Sequence, residues 1–177
     1  MNRKHIIPAI GALCALMLFT PTVSAQNRSK KKGLTLPPAV AETLKKECSD
    51  CAISKATREK ENGVTIYDFE FKPGQGEMDV AADGSVIDRE TPARTDDVPA
   101  AALETIRKAA AGGKIKYIAR DEIRAELKDG KVIKLDSPKY AYEADLEKGK
   151  QVGEVVVTPE GQITEGPKWR RKGTKEE

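Results

Sequence analysis

Apolar residues recur along this chain with two different periods, and the periods alternate in a fixed order. Between residues 36 and 47, Val40, Ala41 and Leu44 (with Cys48 just beyond) recur at helical spacing behind Pro37 and Pro38, which suit a first turn where a missing N–H is harmless. Residues 52–57 read as a short, weak strand, and Asn62-Gly63 is a hairpin turn. From Thr65 the period becomes two: Tyr67, Phe69 and Phe71 point one way, Ile66, Asp68 and Glu70 the other. One apolar and one polar face mark an antiparallel sheet covered on a single side. Pro73-Gly74-Gln75-Gly76 turns the chain, Met78 and Val80 resume the buried face, and Asp83-Gly84 opens a last hairpin.

The order then recurs. Residues 89–96 form a polar linker, Asp96 or Asp97 supplies an N-cap, and Pro99 stands in the first turn of a second helix. Ala102, Leu103, Ile106, Ala109 and Ala110 form its apolar stripe, and Gly112-Gly113 stop it. Residues 114–127 fit a strand, because Asp129-Gly130 then makes a hairpin into residues 131–135, although Ile123 and Leu127 also fit one helical turn. A hairpin-sized insertion thus precedes the second apolar strand face, Tyr140, Tyr142 and Leu146, which is followed by residues 154–157 and the Glu160-Gly161 turn. The pattern predicts an α+β fold: a tandem repeat of one helix packed on an antiparallel sheet of three to four strands, over residues 36–90 and 97–165. Units this small have marginal cores, so the two are expected to pack on each other or extend a shared sheet. Residues 26–35 read as a disordered linker and 166–177 as a charged tail, in which Trp169 either docks back or lies exposed.

The first 25 residues read as an export signal. Arg3 and Lys4 precede an apolar run from Ile6 to Phe19, and Val23-Ser24-Ala25 offers a small-residue cleavage site. The run is interrupted by Pro8 and is short for a membrane span, which argues against the rival reading of an uncleaved anchor. Cys14 is signal filler, since the apolar run continues past it. A periplasmic or secreted protein with no stable membrane span after cleavage is expected. Beyond residue 25 there remain 29 basic against 28 acidic residues, a balance that argues against nucleic-acid binding. The basic clusters lie at the ends, at Arg28 with Lys30 to Lys32 and at Lys168 with Arg170 to Lys172, where such runs are most often solvated.

Cys48 and Cys51 then form the only cysteine pair, and an oxidising compartment favours their closure as a disulfide. Haem attachment would need His after Cys51, where Ala52 stands, and the only His is His5. Zinc would need further Cys or His ligands. A redox pair sits at a helix N-terminus, whereas this one follows a helix, so it reads as a local staple. There is no nucleophile motif and no phosphate loop. Asp79 and Asp83 are close in sequence but sit by an open turn, where both should simply ionise, so no catalytic residues, metal or cofactor are expected. Cation binding by Asp79, Asp83 and Asp88 is a weaker reading, since Asp83-Gly84 is explained as hairpin chemistry.

What remains is a surface. Asp68, Glu70, Glu77 and Asp79 in the first half, and Glu143, Asp145 and Glu154 in the second, fall on the strand faces turned away from the helices. If the halves align, these carboxylates form one acidic face able to steer a basic partner, another exported or envelope protein. The plainer reading is a solvated sheet face offset by Lys72, Lys131 and Lys134. A periplasmic sensor of a small ligand or cation is the alternative function.

The Leu/Val-Pro-x-Ala helix starts at Leu36 and Val98, the following Ile53 or Ile115, the strands Tyr67-Asp68-Phe69-Glu70 and Tyr140-Ala141-Tyr142-Glu143, and the closing Asp83-Gly84 and Glu160-Gly161 turns together resemble PepSY-like domains. The resemblance covers residues 36–165. It implies a fold like that of beta-lactamase inhibitor proteins, two units in tandem, an exported or membrane-associated setting, and a non-catalytic role in peptidase inhibition, regulation or ligand binding. The insertion in the second half and the Cys48–Cys51 pair depart from that pattern.

Overall fold

A computed structural model describes residues 34–173; the expected signal and nearly all of the basic linker lie outside the described residues. Helix α1 (Pro38–Glu47) is followed by strands β1 (Ile53–Glu61), β2 (Val64–Phe71), β3 (Glu77–Ala81) and β4 (Val86–Pro92). A 3-10 turn (Thr95–Asp97) leads to α2 (Ala100–Ala109), then β5 (Lys114–Lys128), β6 (Lys131–Lys148), β7 (Gln151–Val157), β8 (Ile163–Glu165) and β9 (Arg170–Arg171). Both helices start as expected, with proline ahead of the first turn and lysine or arginine in the last turn opposing the dipole. The cap of α2 differs: Pro99 holds the N-cap position, and Asp96 and Asp97 lie in the preceding 3-10 turn.

The predicted tandem of helix-on-sheet units is not what forms. Strands β1 to β8 hydrogen-bond in sequence order into one continuous antiparallel sheet, with two helices as its only α-helices among the described residues. The join is the β4–β5 pairing, from Asp88 opposite Ile123 to Pro92 opposite Ala119. Its reason is backbone satisfaction: two separate small sheets would each leave β4 or β5 as an open edge. Half of the expected 89–96 linker is therefore strand. The Asp129-Gly130 hairpin forms as expected, with Lys128 opposite Lys131, but as the tip of two long strands, β5 and β6, of 15 and 18 residues.

One face of the sheet carries the helices. Val40 and Leu44 of α1 pack on Tyr67, Phe69, Phe71, Met78 and Val80. Ala102 and Ile106 of α2 pack with Ile118, Tyr142, Leu146, Val155 and Val157. Tyr140, expected in that core, is 42% exposed, with Arg120 5.3 Å above its ring. Trp169 docks on the second core, its ring lying where a Cβ on Gly153 would be 3.0 Å away. The expected tail thus borders the sheet: β9 pairs with Gln151 and Val152 on the same edge of β7 that β8 covers at Val156 and Val157.

The opposite face is closed at one end. The Asn62-Gly63 turn meets the Asp129-Gly130 turn, where the Gly130 N–H donates to the Asn62 carbonyl at 2.9 Å. Ala81, Ile87 and Ala125 fill the space beneath, flanked by Val64, Leu127 and Val132. Hairpins two strands apart can touch only if the sheet bends, and register shifts in β3–β4 and β5–β6 supply bends of that kind.

Candidate functional site

The strand register, which side-chain alternation turns into a map of faces, places all seven predicted carboxylates on the side away from the helices. In one row across the strands stand Asp68, Asp79 and Asp88. In the next stand Glu70, Glu77, Glu90 and Asp121. Glu143 lies between Ala119 and Val156, and Asp145 lies between Tyr117 and Glu154. Neighbours within a row are spaced by the inter-strand distance, about 4.8 Å.

Sequence reasoning missed Glu90 as a member because it fell in the expected 89–96 linker, Asp88 because it was read with Asp79 and Asp83 as a cation ligand beside the turn, and Asp121 because its stretch was ambiguous. Their alternation with Arg89 and with Glu122 was the available signal. It is faint where both faces of a strand are polar.

Cations on this face are few. Lys55 pairs with Glu70, and Arg170 offsets part of the rise that burial causes in the Asp145 pKa. Lys134, expected as an offset, lines a cavity beside α1 instead. Burial, aggravated by neighbouring acids, raises the carboxyls. Asp79 is pushed up to about 9 by burial and then by Asp88 and Asp68. Glu90 rises to about 10 by burial and then by Glu143 and Glu77. Glu143 rises to about 8 by burial and then by Glu154 and Asp145. Burial also raises Asp68, Glu77 and Asp145. The expectation that Asp79 simply ionises is therefore corrected: near neutral pH Asp79, Glu90 and Glu143 at the centre of the face hold protons. Tyr117, 39% exposed, stands in this field, its phenol pushed up to about 12 by burial and then by Glu90 and Glu77.

The other candidates separate. Asp79 and Asp88 are opposite one another, but Asp83 sits in the β3–β4 turn and accepts the Ser85 N–H at 2.9 Å. No group of three Asp, Glu, His or Cys among the described residues is placed to hold a metal ion. Cys48 and Cys51 are joined as a disulfide just after α1. No helix of the described residues is long and apolar enough to cross a membrane.

No protein-family model matches the chain, and no curated protein matches it in sequence. Solved structures do match in fold. A putative periplasmic protein from Bacteroides eggerthii superposes with a TM-score of 0.53 at 13% identity, over 77% of this chain and 89% of that one. A BLIP-like protein from Bacteroides fragilis gives 0.49 at 14% identity, over 81% and 91%. At these identities the likeness is one of fold.

Proposed function

We propose that this chain is an exported, non-catalytic binding module that docks a basic partner protein on the carboxylate face of its sheet, and that the partner is an envelope or secreted enzyme which it inhibits or regulates. The observation that carries the reading is the side-by-side stacking of Asp68, Asp79 and Asp88 and of Glu70, Glu77, Glu90 and Asp121. Carboxyls directly opposite one another either repel or must take up protons on folding, and either way they cost stability near neutral pH. A surface kept at that cost is better explained by a cationic partner than by solvation alone. The fold likeness to a putative periplasmic protein is in keeping with export, as is the PepSY-like pattern of helix starts and turns. Perturbed carboxyls also mark active sites, but here neighbouring acids are raised together, with no nucleophile among them and no His in the described residues.

The test is capture from the envelope fraction, with wild type compared against Asp68→Asn/Glu77→Gln/Asp145→Asn/Glu154→Gln. A control neutralises Glu42, Asp96, Glu104 and Glu160 instead. The reading expects a partner held by wild type and control and lost by the face variant, with capture weakening as salt rises. Equal capture by all three proteins would refute it.

A further inference from the structure

On the helix side, a cavity of about 330 Å³ opens between α1, the β3–β4 turn and the long β5–β6 hairpin. We infer that it is a binding site for a small organic acid, whose carboxylate sits by Ser85, Lys46 and Lys134 and whose carbon skeleton lies on Val86, Leu135 and Pro138. The volume is at the small end of ligand sites, which run from about 300 Å³ upward. Its lining has both kinds of group that such a ligand requires, those three apolar side chains and the cations Lys46, Arg124 and Lys134.

The polar part is unspent. Ser85 is 7% exposed; its N–H is taken by Asp83 and its carbonyl by Ala81, and its hydroxyl makes no hydrogen bond among the described residues. The hydroxyl is not sealed from solvent, so it stands open at the cavity wall to water or to a ligand. Neither the Lys46 nor the Lys134 ammonium makes an ion pair among the described residues.

The acid in the wall is already answered. Glu47 pairs with Arg124 at 2.7 Å, and the same guanidinium takes Glu122 at 2.7 Å. Arg89 donates to the Glu47 carbonyl, covering the negative end of α1 that would otherwise repel an anion. Two lysines are left to set the sign of the site. Together with one hydroxyl and an apolar wall they select a carboxylate carried on a few carbons over a bare inorganic anion, which gains nothing from Val86, Leu135 and Pro138.

Titration of the labelled mature chain, followed by amide resonances at constant ionic strength and pH 7, tests this with acetate, butyrate, benzoate, butanol and inorganic phosphate. Butyrate or benzoate should move Ser85, Val86, Lys134 and Leu135 along a saturable curve, with butanol and phosphate at least about tenfold weaker. Lys46→Gln/Lys134→Gln, altering only exposed side chains, should weaken the acid about tenfold or more and leave the remaining spectrum unchanged. No saturable shift with any acid, phosphate or butanol bound as tightly, or an unchanged affinity in the double variant would each overturn the assignment.

Discussion

Asp79 and Asp88 stand directly opposite each other on β3 and β4, with Asp68 opposite Asp79 on its other side. A central strand position flanked by two like charges is a poor choice for stability and a sensible one for attraction. Asp79→Asn should therefore raise stability at pH 7 by about 1 kcal/mol or more, read by urea denaturation. At pH 4, where the unfolded carboxyl is also taking up its proton, the gain should shrink towards zero.

The same protons give the whole protein an uncommon pH response. Asp79, Glu90 and Glu143 are raised in the folded state, whereas they titrate near about 4 when unfolded. Between those values the native chain binds more protons than the unfolded one, so stability falls as pH rises. The contribution is fully present below about pH 4 and is lost through the folded values, about 8 for Glu143 and about 9 for Asp79. Thermal midpoints taken from pH 5 to 9 should decline. The slope should flatten in Asp79→Asn/Glu90→Gln/Glu143→Gln.

Each helix is tied to a distant turn by one hydroxyl. Thr43 Oγ1 donates to the Gly84 carbonyl at 2.7 Å, and Thr105 Oγ1 to the Gly161 carbonyl at 2.9 Å. Gly84 has φ +87°, and a Cβ there would come within 3.0 Å of Ala39. Gly74 has the same φ with open space around it. Gly74→Ala should cost about 1 kcal/mol from backbone strain alone, and Gly84→Ala about 2–3 kcal/mol as the helix is pushed away. Thr43→Val should cost about 1 kcal/mol. Equal losses for the two glycine variants would contradict the packing.

Trp169 is the only tryptophan in the chain, which makes its docking directly readable. Gly153→Val should displace the ring and shift native fluorescence to the red. Ending the chain at Glu165 removes both Trp169 and β9, exposing the Gln151–Val152 edge. A stability loss of about 2–3 kcal/mol is expected, and the open strand should drive association on gel filtration. An unchanged elution volume and melting point would show that these residues are a tail after all.

Much of this was legible, and the illegible part has one cause. Tyr67, Phe69 and Phe71 alternate strictly, and Asn62-Gly63 and Asp129-Gly130 take the left-handed backbone that hairpins demand, so local elements were visible. What joins them was not. β4 reads Asp88-Arg89-Glu90, polar on both faces, because one face carries the acids and the other sends Arg89 to the end of α1. With no apolar stripe to read, the strand passes for a linker, so the β4–β5 join, which decides for a shared sheet over two packed units, could not be placed, and Glu90 was missed with it. Asp79 was misjudged for a related reason. Its neighbour in sequence is an open turn, but its surroundings are set by Asp68 and Asp88 on flanking strands and by the closed end at Ala81 and Ile87.

Carboxyl footprinting of the complex with whatever basic partner is captured tests the docking face most directly, because carbodiimide labelling reads each Asp and Glu separately. Partner binding should suppress labelling at Asp68, Glu77, Asp145 and Glu154, and leave Glu42, Glu104 and Glu160 unchanged. Protection confined to the helix-side acids, with the sheet face labelled as in the free protein, would contradict the account.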